Sequence, residues 1–261
     1  MIKEIRKRSG FAAVIGAPNA GKSTLTNALV GEKVSIVTHK VQTTRFQVRG
    51  IAMLTGSDNS QAQVVLVDTP GIFSPKESDR LSRSMVHAAW TGVSDAEVVI
   101  HVVDAPAYHR CLNSNGTSQD RLSVEDTKKV SNGLKRIDKK KIFLILNKID
   151  ELAHDLTLSL IAEFKKLEIY DEFFLVSAIN MEGIKKLSEY LVNLMPISPF
   201  LYPADQAADI PSRLMAAEIT REKIFLRLHD ELPYASTVET ESWKNQKNGD
   251  VRIDQIIYVR R

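Results

Sequence analysis

The chain has 261 residues, enough for one domain of ordinary size with a smaller companion, or for one large α/β domain. Its single cysteine, Cys111, excludes an internal disulfide and favours a reducing, cytoplasmic location. No apolar run reaches the roughly 18–20 residues of a membrane-spanning helix. The net charge of +3 is too small to indicate nucleic-acid binding by itself. Residues 201–261 carry nine Lys or Arg against ten Asp or Glu, a net charge of −1.

Short apolar, β-branched runs alternate with amphipathic stretches along the first three quarters of the chain. Alternation of this kind predicts an α/β fold in which helices cover both faces of a mainly parallel, six-stranded sheet. The predicted buried strands are Phe11–Ile15, Gln63–Val67, Glu97–Val103, Lys141–Leu146 and Glu172–Val176, and Arg45–Leu54 alternates in the manner of an edge strand. The predicted helices are Lys22–Val30, Asp79–Thr91, Ser123–Arg136, Asp155–Leu167 and Ile184–Met195.

The alternating pattern stops at Met195, so residues 1–195 form the first predicted domain. Prolines in the stretch 196–211 remove backbone donors and disfavour helix, which predicts an ordered but irregular linker. A helix over Ser212–Asp230 and strands over Tyr234–Trp243 and Val251–Val259 follow, and the Lys-Asn-Gly-Asp at 247–250 is a hairpin turn signal.

The first chemical motif is a glycine-rich loop that matches G-x(4)-G-K-[ST] at Gly16–Ser23. It follows a predicted strand and opens a predicted helix, as a phosphate-binding loop requires. Backbone N–H groups and the helix N-terminus then face the phosphates. We expect Lys22 to reach the β- and γ-phosphates of a nucleotide and Ser23 to bind Mg²⁺. The alternative is a glycine-rich turn without a ligand.

A second motif, Asp68-Thr69-Pro70-Gly71, ends another apolar strand. Asp68 can hold Mg²⁺ through water, and the N–H of Gly71 can meet the γ-phosphate, so this loop would distinguish GTP from GDP. Taken alone, D-x-x-G at a strand end is just as well explained as a simple turn.

The third motif, Asn147-Lys148-Ile149-Asp150, indicates the base. A carboxylate at Asp150 accepts from the N1–H and 2-amino donors of guanine, a pair that adenine does not offer. Ser177-Ala178 follows the next strand, where the N–H of Ala178 would meet guanine O6. All of these motifs lie at carboxyl ends of predicted parallel strands, where such sheets bind ligands. Their order is the signature of P-loop GTPases.

The sequence also resembles the Era family of GTPases over nearly its whole length. The resemblance rests on the phosphate loop, on Asp-Thr-Pro-Gly, on the Gln-Thr-Thr-Arg run at 42–45, and on the stretches Ala217–Lys223 and Glu231–Tyr234. It implies a first switch in which Thr44, or alternatively Thr43, binds Mg²⁺. It also implies assistance to small ribosomal subunit assembly, a KH domain that binds small-subunit rRNA, and peripheral contact of some members with the inner membrane.

Motifs and resemblance together predict the site. The catalytic residues are Lys22, Thr44 and Gly71, and the metal ligands are Ser23, Thr44 and Asp68. The nucleotide-binding residues are Gly16, Ala17, Pro18, Asn19, Ala20, Gly21, Lys22, Ser23, Thr24, Asp68, Thr69, Pro70, Gly71, Ile72, Asn147, Lys148, Ile149, Asp150, Ser177 and Ala178. Asn19 is the candidate ligand of a K⁺ ion.

The residue that follows Gly71 is Ile72, where Ras-like enzymes place a glutamine that orients the attacking water. We therefore expect slow intrinsic GTP hydrolysis that K⁺ or a partner stimulates. Two alternatives remain at this point: a nucleotide-switched binding module that seldom turns over, and an ATPase or nucleoside kinase with a chance Asn-Lys-x-Asp.

The C-terminal segment departs from the family pattern. A KH domain clamps RNA through a G-x-x-G loop, but after Ile210 the sequence holds a single glycine, Gly249, in the predicted hairpin turn. Residues 212–261 are thus predicted to form an incomplete type II KH-like unit, as expected of a truncated product or fragment. We expect this unit to be loosely held, with first proteolytic cuts at 196–211 or beyond 230, and the whole chain to be a monomer.

Two further residues bear on the structure. His101 lies in an apolar predicted strand and is expected to be a hydrogen-bonded core histidine. Cys111 is expected to be a free thiol in a polar loop.

Overall fold

The structure is a computed structural model that describes residues 7–38, 48–69, 71, 80–137, 139–228 and 232–259. Eight strands and seven α-helices are found in these ranges. The strands are β1 Lys7–Gly16, β2 Val48–Thr55, β3 Gln61–Asp68, β4 Val98–Asp104, β5 Lys141–Asn147, β6 Glu172–Val176, β7 Ser236–Asn245 and β8 Val251–Val259. The helices are α1 Lys22–Val30, α2 Arg80–Asp95, α3 Ala105–Leu112, α4 Ser118–Leu134, α5 His154–Lys165, α6 Ile184–Leu194 and α7 Ser212–Arg227.

Six strands form one sheet in the order β2-β3-β1-β4-β5-β6. All neighbours are parallel except β2, which pairs antiparallel with β3 at the edge. The predicted α/β fold, with a mainly parallel six-stranded sheet and an edge strand near residue 50, is therefore confirmed. The carboxyl ends of β1, β3, β4, β5 and β6 meet at one edge of the sheet, because parallel strands run in the same direction.

Helices cover both faces of this sheet, as the apolar strands require. On one face, Leu25 and Leu29 of α1 and Leu187 and Leu191 of α6 pack against alternate strand residues. On the other face, residues of α2 and α4 pack in one cluster and residues of α3 and α5 in a second. The alternation inside β4, with Val98 and Ile100 on one side and Val99 on the other, places helices against both faces of the same strand.

Two helices differ most clearly from the sequence prediction, while the others shift by four residues or fewer at either end. Helix α4 begins at Ser118, five residues before the predicted start, because Thr117 and Asp120 form a capping box that stabilises its first turn. Helix α3 has no counterpart among the predicted helices. Asp104 caps it and Pro106 lies in its first turn. Cys111 therefore lies in a helix, and its predicted placement in a polar loop is wrong.

Residues 196–211, the predicted linker, contain no helix or strand and are held along the sheet. Gln63 of β3 is fully buried; its Oε1 accepts the N–H groups of Leu201 and Tyr202 at 2.7 and 2.9 Å. Its Nε2 donates to the carbonyl of Tyr202 at 2.9 Å. The linker also pairs with the edge strand, since the N–H of Ile51 donates to the carbonyl of Ala207 at 2.8 Å. Hydrogen bonding to strands orders it.

The C-terminal helix α7 packs against an antiparallel hairpin of β7 and β8. The turn of this hairpin is closed by Gln246 and Asp250, with Gly249 at φ 87°, as the Lys-Asn-Gly-Asp signal predicts. Helix α7 also contacts the segment that follows α1, because buried Glu222 accepts from Lys33 Nζ at 2.6 Å and from the N–H of Val37 at 3.0 Å. Within the ranges that the structure describes, no helix is long and apolar enough to cross a membrane.

Candidate functional site

The phosphate loop connects β1 to α1 in a tightly folded backbone. Gly16 and Gly21 have φ of 152° and 96°, values that L side chains rarely adopt. A Cβ at Gly16 would lie 2.2 Å from the carbonyl oxygen of Val102, and a Cβ at Gly21 would lie 2.1 Å from Nδ2 of Asn147. The two glycines of the motif are thus required both by backbone conformation and by the close approach of β4 and β5.

Lys22 is the buried cation of the loop. Only 6% of it is exposed, and its Nζ donates to the carbonyl of Ala17 at 2.8 Å. Burial lowers the pKa of Lys22 to about 8, against the raising effect of Asp68. A buried ammonium that costs free energy to keep charged is stabilised by a bound anion, so the loop is suited to a phosphate.

Asp68, the last residue of β3, lies beside the phosphate loop and is fully buried. Its carboxylate accepts from the hydroxyl of Ser35 at 2.8 Å and from that of Ser23. Burial raises its pKa, and the two hydroxyls and the Lys22 charge oppose that shift. Its Oδ1 is buried without a hydrogen-bond partner in the described part of the chain. An unpaired carboxylate oxygen next to Ser23 fits the hydrated Mg²⁺ ion that the motif implies.

The loop after β3 approaches the phosphate loop closely. A Cβ at Gly71 would lie 2.9 Å from the backbone of Pro18, so this glycine permits the contact. Thr69 is fully buried, and its hydroxyl donates to the carbonyl of Val14 at 2.8 Å. Thr69 thus fastens the loop to β1. Pro70 and Ile72 lie outside the described residues, as does Thr44 of the predicted switch.

Asn147 joins three parts of the site. Its Nδ2 donates to the carbonyl of Ala20 in the phosphate loop at 2.9 Å. Its Oδ1 accepts the N–H of Ala178 at 3.1 Å, and the side chain of Asn147 is almost fully buried. The structure therefore brings together the Asn147–Asp150 motif, the phosphate loop and the Ser177-Ala178 loop. The N–H of Ala178, expected to meet guanine O6, donates to Asn147 in this structure.

Asp150 is exposed and lies in a single 3-10 turn, Ile149–Glu151, that follows shortly after Asn147 in the chain. Lys148 has a left-handed backbone with φ 64°, which turns the chain out of β5. Of the remaining predicted residues, Asn19 lies in the loop at φ 61°, and Thr24 lies partly buried in α1.

Sequence reasoning missed the residues that order the segment after α1. Asn27 of α1 accepts the N–H groups of Val34 and Ser35 at 3.0 and 2.9 Å and donates to the Ser35 carbonyl at 2.8 Å. This places the Ser35 hydroxyl on Asp68. No motif in the sequence marks Asn27 or Ser35, because their roles arise from a loop that folds back on its own helix.

The fold and the site define a P-loop GTPase of the α/β class. A family model described as "50S ribosome-binding GTPase" matches residues 11–148. The chain is 54% identical over 255 residues to GTPase Era of Maricaulis maris, covering 98% of this chain and 79% of that protein. It is 51% identical over 254 residues to GTPase Era of Brucella suis, covering 97% and 75%.

Two solved structures of Era are also similar. One, a complex with MgGDPNP and nucleotides 1506–1542 of 16S ribosomal RNA, has a TM-score of 0.84 and 32% identity. The match covers 98% of this chain and 80% of the Era chain in that complex. The other, a point variant of Aquifex aeolicus Era bound to GDP and AlF4⁻, has a TM-score of 0.80 and 32% identity and covers 97% and 80%. The chain belongs to the Era family of GTPases.

Proposed function

We propose that this chain binds GTP and GDP with Mg²⁺ at the loop Gly16–Ser23, hydrolyses GTP, and assists assembly of the small ribosomal subunit. The observation that carries the proposal is the double hydrogen bond of Asn147, which joins the guanine motif to the phosphate loop. The family model and the relatives named GTPase Era support it. The alternative of an ATPase or nucleoside kinase with a chance Asn-Lys-x-Asp does not fit a member of the Era family of GTPases.

The residues would act mainly by positioning and by charge. Lys22 would hold the β- and γ-phosphates, and Ser23 and Asp68 would hold Mg²⁺, which would supply positive charge against the negative charge of the phosphates. Asp150 selects guanine through the N1–H and 2-amino groups. Thr44 is the predicted third metal ligand, and the N–H of Gly71 would donate to the γ-phosphate. Both contacts would therefore distinguish GTP from GDP. Because Ile72 cannot orient water, we expect slow intrinsic hydrolysis.

GTP hydrolysis is tested directly by phosphate release from the purified chain with Mg²⁺, with Lys22→Ala as the inactive control. Titration with fluorescent GDP and ADP tests the base, and a preference for GDP on the order of a hundredfold is expected from the two lost guanine donors. Binding of GTP without any single-turnover hydrolysis would instead favour a nucleotide-switched binding module.

A K⁺ ion bound by Asn19 is the proposed stimulant. Asn19 lies in the phosphate loop, where its side-chain oxygen can hold a cation that adds to the positive charge around the phosphates. Hydrolysis should be faster in K⁺ than in Na⁺ at equal ionic strength, and Asn19→Ala should remove the difference. Equal rates in the two salts would reject this part of the proposal.

Small-subunit rRNA is the proposed macromolecular partner. The related Era structure holds a 16S rRNA segment, and this chain covers 80% of that chain. The unit 212–261 is proposed to be KH-like but has no G-x-x-G, and its charge is near neutral. We therefore expect weak, salt-sensitive binding of an oligonucleotide that corresponds to that segment, measured by anisotropy. We further propose, from the family resemblance, a cytoplasmic monomer that contacts the inner membrane peripherally.

A further inference from the structure

Lys148 belongs to the guanine motif, Asn147–Asp150, and forms an ion pair with a carboxylate that lies outside this motif. Its Nζ forms an ion pair with Oδ2 of Asp104 at 2.5 Å. The side chains are 31% and 13% exposed, so water screens this pair less than it screens a surface salt bridge. None of the motifs in the sequence contains Asp104.

Asp104 is placed for this contact by the sheet itself. It is the last residue of β4 and lies directly opposite Asn147 in the parallel pairing of β4 with β5. Its other oxygen, Oδ1, accepts the N–H of Ala107 at 2.9 Å and caps α3. A carboxylate that is bound through both oxygens cannot rotate freely, so the position of the Lys148 ammonium is defined by β4 and α3.

Lys148 needs such support for three reasons. Its backbone lies in the left-handed region, at φ 64°, a conformation that persists only where the surroundings hold it. Its side chain is long and flexible, and ordering it costs entropy. A free ammonium at this turn could also pair with the carboxylates of the same turn, Asp150 and Glu151, and so compete with the guanine edge.

We propose that Asp104 is a positioning residue for guanine recognition: it fixes Lys148 before the nucleotide binds and leaves Asp150 available to the base. The inference rests on the guanine-binding function proposed above. Its physical basis is preorganisation, since ordering that is complete in the free protein does not weaken binding. Asp104 acts through Lys148 and not by contact with the phosphates.

The test variant is Asp104→Asn. Asparagine is as good a helix cap as aspartate, so α3 should keep its first turn, while the charge on Lys148 loses its partner. We expect the dissociation constant of fluorescent GDP to rise about tenfold, mostly through faster dissociation. The dissociation constant of inorganic pyrophosphate, which lacks the base, should not change. Lys148→Ala should cause a similar loss, and the double variant should lose no more than either single variant.

Asp171→Asn is the matched control. Asp171 also joins a lysine, Lys141, at 2.6 Å and a backbone N–H, that of Ile142, at 2.8 Å, but at the opposite end of β5. This variant should bind GDP as the unaltered protein does. The proposal is overturned if Asp104→Asn binds GDP normally, or if its affinity for pyrophosphate falls as much as its affinity for GDP. It is also overturned if Asp171→Asn weakens GDP binding equally, or if the double variant loses the sum of the two single-variant losses in GDP affinity. Failure of the unaltered protein to bind GDP would reject the proposed function itself, and with it this inference.

Discussion

Gly21 offers a sharp test of how the site is assembled, because the same helix supplies a matched control. Gly21 and Gly31 flank α1 at its two ends and have φ of 96° and 84°. An alanine in this left-handed conformation costs roughly 1–2 kcal/mol at either position. At Gly31 a Cβ would meet nothing within 4 Å, whereas at Gly21 it would lie 2.1 Å from Nδ2 of Asn147.

Gly21→Ala must therefore displace Asn147 in addition to straining the backbone. Displacement breaks the bonds of Asn147 to Ala20 and Ala178, at 2.9 and 3.1 Å, in a buried site. Each of the two broken bonds leaves a buried group unpaired at a cost of about 1–3 kcal/mol, so we expect Gly21→Ala to be destabilised by about 2–6 kcal/mol more than Gly31→Ala. Loss of the asparagine from the base site should weaken GDP binding by on the order of a hundredfold.

Urea unfolding gives the stability difference, and titration with fluorescent GDP gives the affinity. Gly31→Ala should show only the backbone cost and near-normal GDP binding. If the two variants lose equal stability and bind GDP equally well, the contact between Gly21 and Asn147 does not hold the site together, and the reasoning fails.

Three other perturbations test separate parts of the structure. Burial lowers the pKa of His101 to about 3, so the folded state stays neutral while the unfolded state takes up a proton below its ordinary pKa of 6.5. Stability should thus fall as the pH drops below 6.5, by about 2 kcal/mol at about pH 5, and urea unfolding of His101→Gln should lack this component. Ser35→Ala removes a hydroxyl that hydrogen-bonds the Asp68 carboxylate and holds it in place for Mg²⁺. The Mg²⁺ concentration needed to slow GDP release should therefore rise about tenfold. An unchanged Mg²⁺ titration would contradict the site geometry. Gln63→Leu leaves two linker N–H groups unpaired, and chymotrypsin should then cleave within 196–211 faster than in the unaltered protein.

The histidine itself shows where prediction from a strand pattern stops. His101 is buried in β4, and its Nδ1 lies 2.8 Å from the hydroxyl of Tyr170, as expected of a hydrogen-bonded core residue. Its Nε2, however, has no partner among the described residues. An alternating pattern tells which side of a strand faces the core, but it cannot tell which polar atoms of other elements will be within reach.

The amino-acid pattern alone indicates the class of fold and most of the candidate nucleotide site. Apolar runs of strand length alternating with amphipathic helices leave a parallel sheet as the arrangement that buries both faces, and a parallel sheet gathers its strand ends at one edge. The motifs at these strand ends therefore lie close together at that edge: Gly16–Ser23, Asp68 and Asn147–Asp150. Local signals of this kind depend only on neighbours in the chain and so can be read directly.

The residues that support that site depend instead on contacts that form when the chain folds. Asn27 and Ser35 act because a loop folds back on α1, Gln63 because the linker returns to β3, and Asp104 because β4 ends opposite β5. Helix α3 was missed since its stability comes from a cap and from packing rather than from its own eight residues. Each of these contacts joins residues on different elements or loops, and their distances exist only after the sheet has formed.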